Sequence, residues 1–202
     1  MNRIGLIGAG NIGSVVARAL ARVGISADIS NSRGPASLKS LVQETGPTLR
    51  AVEVAEAARA DIVLVAVNWS KLPAALNNLP KWAGRIVIDA NNPLDGPPLK
   101  RVDLQGRLSS EVFAELVPGA RVVKAFNHLP ATLLGEDPKR EGGRRVLFFS
   151  GDETQARSQV GELIDRLGFF GVDLGPLSIG SRFLEPGGPL FALNLVKFGS
   201  AL

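Results

Sequence analysis

Residues 3–13 read RIGLIGAGNIG, a short apolar run that leads into three glycines spaced as G-x-G-x-x-G. A short apolar run bounded by glycine is typical of a strand that is buried on both faces. Beyond it, Val16, Ala19, Leu20 and Val23 recur at helical spacing. The glycines therefore lie between a predicted strand and a predicted helix, the context in which this motif binds a dinucleotide.

Each glycine of the motif has a distinct physical role. Gly8 permits the tight turn, Gly10 lacks the Cβ that would block a pyrophosphate, and Gly13 lets the helix pack closely on the strand. Asn11 and Ile12 open the helix, whose free N–H groups and positive dipole end favour an anion. We expect these five residues to bind the pyrophosphate; the alternative is a glycine-rich turn that holds nothing.

Strand and helix patterns alternate along the rest of the chain, which predicts a Rossmann-type α/β fold with a doubly wound, mostly parallel sheet. We interpret residues 1–202 as a single domain, with a core to about residue 175 and a short helical C-terminal extension over about 176–202. Asp152 is expected to cap the helix that follows it. Further strands are predicted at 25–30, 49–52, 62–67, 85–89, 121–126, 144–150 and 169–174, helices at 36–45, 54–59, 73–79, 109–117, 153–167 and 190–198, and a long loop at 90–106.

The residues after the second predicted strand indicate which dinucleotide is bound. An NAD site has an acidic residue there, but this chain has Asn31, Ser32 and Arg33. Asp28 falls inside the strand and is expected to point away from the ribose. Ser32 and Arg33 are able to donate charge-assisted hydrogen bonds to the 2′-phosphate of NADP. The sequence therefore favours NADP(H), although Arg33 alone is also compatible with an ordinary surface position.

Composition excludes several classes of function. Among 202 residues there is no Cys, no Tyr and a single His, which removes thiolate chemistry, a Tyr-Lys reductase and a three-His zinc site. No metal site is predicted. The 23 basic and 19 acidic residues give a net charge of +4 without aromatic interleaving, so nucleic acid is not an expected partner. Because apolar runs are too short for a membrane span and no secretory signal is evident, we expect a cytoplasmic protein with no membrane partner.

Five segments together resemble one known family. They are GAGNIG at 8–13, NSR at 31–33, DIVLVAV at 61–67, DANNP at 89–93 and VVKAFN at 122–127. These segments are similar to those of the NADPH-dependent oxidoreductases typified by the NADP:deazaflavin (coenzyme F-420) oxidoreductases. The cytosolic reductase domains of the six-transmembrane metalloreductases look similar too.

The resemblance implies a compact domain, often dimeric, that binds NADP(H) and passes a hydride directly to a flat deazaflavin or flavin ring. Such a transfer mainly needs orientation and water exclusion, which suits a chain without Tyr. The family pattern implies that residues after three strands surround the nicotinamide and close the pocket floor. They are Ala66, Val67, Asn68, Asn91, Asn92, Pro93, Ala125 and Asn127.

The acceptor is less well indicated than the cofactor. Asn68-Trp69 and His128-Leu129-Pro130 depart from the family pattern where the acceptor would lie. A flavin, a quinone, a metal chelate or a small imine or carbonyl are therefore alternative acceptors. A non-catalytic NADPH sensor that controls a partner is the alternative to an enzyme.

Three further features have two interpretations each. His128, the only imidazole, is a candidate catalytic proton donor or a structural residue. Trp69 is expected either to stack on a planar ring or to anchor a helix against the sheet. Residues 184–189 form a lid, an interface loop or a simple turn, and the apolar helix predicted at 190–198 is expected to make a homodimer contact.

Overall fold

A computed structural model describes residues 2–199, and within them the strands form a mixed sheet and a separate small hairpin. The strands are β1 (Ile4–Ile7), β2 (Ala27–Ser30), β3 (Leu49–Ala51), β4 (Ile62–Val65), β5 (Ile86–Asp89), β6 (Leu94–Asp95), β7 (Lys100–Arg101), β8 (Arg121–Ala125), β9 (Lys139–Arg140), β10 (Gly143–Gly151), β11 (Phe170–Asp173) and β12 (Val196–Phe198). The hairpin consists of β6 and β7.

The main sheet has the strand order β3-β2-β1-β4-β5-β8-β10-β11. The first six of these strands are parallel, so their carboxyl ends share one edge. The order reverses direction between β1 and β4, which is the switch point where open α/β sheets bind ligands. β10 runs antiparallel to β8 and parallel to β11. The predicted doubly wound, mostly parallel Rossmann-type sheet is confirmed.

Helices cover both faces of this sheet. They are α1 (Asn11–Arg22), α2 (Lys39–Thr45), α3 (Val54–Ala57), α4 (Leu72–Leu76), α5 (Ser109–Leu116), α6 (Ala131–Gly135), α7 (Thr154–Arg166) and α8 (Leu177–Leu184). Leu64 of β4 packs in one apolar cluster with Leu20 of α1, while its neighbour Val63 packs in another with Phe113 of α5. Alternate strand residues therefore bury opposite faces. None of the helices within residues 2–199 combines the length and apolar character needed to cross a lipid bilayer.

The C-terminal extension differs from its prediction. The predicted helix at 190–198 is wrong: the chain turns after α8, and residues Val196–Phe198 form β12, which pairs antiparallel with β10. The positive φ of Ala192, 61°, is incompatible with a continuous helix there. The unpaired edge of β10 also offers backbone partners, and the β-prone residues of β12 take them. The helical part of the extension is α8.

Smaller differences have local causes. Asp152 does not cap α7; its Oδ1 accepts the backbone N–H of Leu177, at the start of α8, at 2.9 Å. The helix predicted at 36–45 begins as a 3-10 turn over Pro35–Leu38. Two short features were not predicted: α6, which is only five residues long, and the hairpin of β6 and β7 inside the predicted loop.

Candidate dinucleotide and hydride-transfer site

The glycine turn between β1 and α1 fits tightly against the loop after β4. Gly8 has a φ of 104°, and a Cβ on it would lie 2.1 Å from the carbonyl oxygen of Ala66. A Cβ on Gly13 would lie 2.0 Å from the carbonyl oxygen of Gly8. A Cβ on Gly10, in contrast, would meet nothing within 4 Å. Gly8 and Gly13 are therefore needed for packing, whereas Gly10 faces open space of the kind that a pyrophosphate fills.

The N-terminus of α1 is left free to bind an anion. Gly10 is its N-cap residue and provides no side-chain hydrogen bond, and the first turn contains no acidic residue. The first amides of a helix, here those of Asn11 and Ile12, have no partner within the helix. Asn11 is exposed, whereas Ile12 packs its side chain on the core. The geometry fits the predicted pyrophosphate contact through backbone N–H groups.

The loop after β2 presents its polar groups outward. The Oδ1 of Asn31 accepts the backbone N–H of Arg33 at 2.8 Å, which shapes the loop. The side chains of Ser32 and Arg33 are exposed. Asp28 is paired with Arg50 of the next strand, with Nε and Oδ1 2.8 Å apart. The loop thus combines a guanidinium with a hydroxyl, and the carboxylate of Asp28 on the preceding strand is already paired.

Carboxamides join the three loops that follow β4, β5 and β8. The Oδ1 of Asn91 accepts the backbone N–H of Val67 at 2.8 Å. The Nδ2 of Asn92 donates to the carbonyl oxygen of Asn127 at 2.7 Å, and the Nδ2 of Asn127 returns a bond to Oδ1 of Asn92 at 3.0 Å. Phe126 adopts a φ of 63°, a strained conformation that is characteristic of functional edges. The structure therefore brings these predicted site residues together.

The remaining predicted residues at this edge differ in accessibility. Ala66 supplies the carbonyl group behind Gly8 and is half-buried, and Asn68 is exposed. Pro93 is buried, and Ala125 has no exposed surface. Ala125 therefore lies in the core beneath the loops.

A buried polar network lies beneath these loops, and it was not predicted as part of the site. The Nζ of Lys124 donates to Oδ2 of Asp89 at 2.8 Å, to the carbonyl oxygen of Asn91 at 2.7 Å and to Oγ of Ser109 at 3.0 Å. Both charged side chains are fully buried. The Oε1 of Glu185 accepts the N–H and the O–H of Ser109 at 2.7 and 2.8 Å. The network connects β5, β8 and the loop after β5 with the C-terminal extension.

A sequence signal for this network was available. Lys124 interrupts an apolar strand, and Asp89 ends one. Buried charges of this kind are normally paired, so the two residues were candidates for each other. Glu185 gave no such signal, because its partner Ser109 lies 76 positions away in sequence.

His128 and Trp69 are both buried. The imidazole of His128 is 1% exposed, packs edge-on against Phe148 at a centroid distance of 5.2 Å, and has no hydrogen-bond partner on either ring nitrogen. Burial lowers the pKa of His128 from 6.5 to about 4, so the ring is neutral at pH 7. Trp69 packs in the apolar cluster that contains Val65 and Leu72. Trp69 therefore anchors a helix against the sheet, which is one of its two predicted roles.

Similar proteins agree with this architecture. Residues 3–93 match the family described as NADP oxidoreductase, coenzyme F420-dependent. Metalloreductase STEAP3 of Rattus norvegicus is 32% identical over 179 residues, which are 87% of this chain and 34% of the relative. The chain belongs to this family of NADP-dependent oxidoreductases. It spans about a third of the length of the curated relatives that it matches.

Two solved structures are similar to this oxidoreductase over nearly its whole length. A protein from Sinorhizobium meliloti described as hypothetical is 48% identical, with a TM-score of 0.93, and the match covers 98% of this chain and 96% of that one. A structure from Arthrobacter sp. FB24 assigned as an F420-dependent NADP-reductase is 29% identical, with a TM-score of 0.76, over 88% and 86% of the two chains. NADP(H) is the cofactor that the family shares.

Proposed function

We propose that this chain is an enzyme that transfers a hydride directly between NADPH and a flat deazaflavin or flavin acceptor. NADPH supplies the hydride, the acceptor ring is reduced by it, and solvent provides any accompanying proton. The supporting observation is the junction of the glycine turn with loops that present carboxamides and backbone groups, while the only His is buried. Such a site orients two rings and excludes water, and it needs no side-chain acid.

The proposed cofactor contacts follow the order of the strands. Gly8, Gly10, Asn11, Ile12 and Gly13 hold the pyrophosphate through the turn and the helix N-terminus. Asn31 shapes the loop in which Ser32 and Arg33 bind the 2′-phosphate. The nicotinamide lies against the loops that carry Ala66, Val67, Asn68, Asn91, Asn92, Pro93 and Asn127, with Ala125 beneath them.

NADPH oxidation with a panel of deazaflavin, flavin, quinone and ferric-chelate acceptors tests the activity. We expect the deazaflavin or a flavin to give the highest kcat/KM. A quinone as the best acceptor would contradict the proposed acceptor class. Tight NADPH binding without turnover of any acceptor would contradict the enzyme and favour the sensor.

A ferric chelate is the second candidate acceptor. The 32% identity to a protein named as a metalloreductase favours it. In the same panel, two ferric chelates reduced by one electron each per NADPH oxidised, with release of one proton, without a flavin and faster than a free flavin is reduced, would replace the first proposal by this one.

We also propose that the chain forms a cytoplasmic homodimer through its extension. The predicted helical contact is absent, but the extension still exposes apolar side chains. They are Ile179, Phe183, Leu193, Leu195 and Phe198. Burial of exposed apolar side chains favours association. Light scattering at micromolar concentration is expected to give twice the chain mass, and a monomer mass would contradict the dimer.

A further inference from the structure

Residues 184–192, which run from the last residue of α8 through the following turn, contact the loop after β8 at two points. We call this segment the C-terminal turn. The Nδ2 of Asn127 donates to the carbonyl oxygen of Leu184 at 3.0 Å. The backbone N–H of Ala192 donates to the carbonyl oxygen of His128 at 2.7 Å. Both ends of the C-terminal turn therefore hold the loop that carries Asn127, one of the residues proposed to lie at the nicotinamide.

Two acceptors determine the orientation of the Asn127 carboxamide. An amide NH₂ group has two hydrogens to donate. In Asn127 the Nδ2 donates to Oδ1 of Asn92 at 3.0 Å and to the carbonyl oxygen of Leu184, also at 3.0 Å. The opposite orientation would place Oδ1 against two acceptor oxygens. The orientation of this side chain therefore depends on the position of the Leu184 carbonyl group.

Glu185 fixes the position of that carbonyl group. The Leu184 carbonyl belongs to the peptide bond between Leu184 and Glu185, so a constraint on Glu185 acts on it directly. The Oε1 of Glu185 accepts the N–H of Ser109 at 2.7 Å and its O–H at 2.8 Å. The Oγ of Ser109 in turn accepts Nζ of Lys124 at 3.0 Å. The C-terminal turn is thus connected by hydrogen bonds to α5 and, through Ser109, to the buried lysine of β8.

Packing alone does not require a carboxylate at position 185. Leu184 is completely buried and packs with Val146 and Phe148, which already holds the end of α8 against the sheet. Glu185 is only 7% exposed, and burial of a carboxylate is costly unless it accepts hydrogen bonds. Directional hydrogen bonds fix an orientation, which apolar packing does less well. The carboxylate therefore suits a role in alignment.

We propose that Glu185 is a positioning residue for the nicotinamide. Held by Ser109, it fixes the Leu184 carbonyl group, and this group orients the carboxamide of Asn127 at the edge where the nicotinamide lies. Small displacements of groups that align a reacting ring have large effects on binding and transfer. This inference rests on the proposed contact between Asn127 and the nicotinamide, and it assigns a function to the C-terminal turn within the cofactor site.

Two ligands that differ in the nicotinamide half provide the test. NADPH contains it, whereas adenosine 2′,5′-bisphosphate lacks it and keeps the 2′-phosphate. Calorimetric titration of the full chain measures both affinities. We expect Glu185→Ala to weaken NADPH binding by about 2- to 10-fold, the equivalent of one hydrogen bond, and to leave the bisphosphate affinity unchanged. Glu185→Gln keeps an acceptor oxygen and is expected to recover most of this loss.

The matched control is Asp152→Ala. It removes a carboxylate that accepts the backbone N–H of Leu177 at 2.9 Å, at the opposite end of α8. We expect it to change neither affinity. Equal weakening of both ligands by Glu185→Ala, an unchanged NADPH affinity, or the same selective loss in the control would overturn the proposal.

A second variant keeps the test decisive if Glu185→Ala does not fold. Ser109→Ala removes one of the two hydrogen bonds to Glu185, and a smaller loss that is again selective for NADPH is expected. Absence of that loss would overturn the proposal. Because these titrations contain no acceptor, absence of reductase activity leaves them intact. Conversely, an acceptor reduced by Glu185→Ala with unchanged kcat and unchanged KM for NADPH would support the activity and overturn the positioning role.

Discussion

One guanidinium at the end of β2 is expected to decide between NADPH and NADH. Arg33 is exposed on a loop whose neighbouring carboxylate, Asp28, is occupied by Arg50. A charge-assisted contact is worth about 1.5 to 3 kcal/mol, or roughly a 10- to 100-fold preference. Arg33→Ala should remove most of the preference for NADPH: kcat/KM for NADPH falls, while kcat/KM for NADH changes little. The control is Arg22→Ala, which removes a positive charge in the last turn of α1, at the opposite end of this helix from the glycine turn. Equal kcat/KM for NADPH and NADH in the unmodified chain would contradict the assignment.

The buried imidazole of His128 predicts a pH-dependent stability. Its pKa is lowered from 6.5 to about 4 by burial, so the fold favours the neutral ring. This stabilisation is complete above pH 6.5 and is lost as pH falls toward 4, by up to about 3 kcal/mol. The free energy of unfolding of His128→Leu, measured with urea, should lack that part of the decline between pH 7 and 4. An equal pH dependence in the variant and the unmodified chain would contradict the explanation.

Catalysis by the same residue has a separate test. From the sequence, His128 is a candidate proton donor or a structural residue; in the structure its ring has no hydrogen-bond partner and almost no exposed surface. If His128→Ala keeps its kcat with the best acceptor, the catalytic interpretation is removed. A large fall in kcat at an unchanged KM for NADPH would support it.

At the scale of elements, the buried Lys124–Asp89 pair joins β8 to β5 beneath the loops that follow these two strands. Lys124→Met leaves Asp89 buried without its counter-charge, which we expect to cost about 3 to 5 kcal/mol of unfolding free energy. The double variant Lys124→Met/Asp89→Leu should lose less than the sum of the single losses, because neither charge is stranded. Urea unfolding of the four proteins measures this coupling, and additive losses would contradict it.

At the scale of the whole molecule, the sequence predicted the sheet and its binding edge because these depend on local patterns. Apolar runs such as Ile62–Val65 and the glycine spacing are readable along the chain. The C-terminal extension was not readable in this way. Its strand Val196–Phe198 exists because the distant β10 has a free edge, and Glu185 is placed by Ser109. Positions fixed by partners far away in sequence leave no periodic signal.

Because the space in front of Gly10 is open, the variant Gly10→Ala is a useful reagent. A Cβ at Gly8 or Gly13 would collide with backbone atoms, whereas one at Gly10 meets none, and its φ of −78° suits any residue. Gly10→Ala should therefore lose at most about 1 kcal/mol of unfolding free energy, from the less favourable helix cap, while its NADPH affinity falls. Such a variant distinguishes effects that require bound NADPH from effects that require only the folded chain. It can be used for this purpose both in an enzyme assay and in a cell.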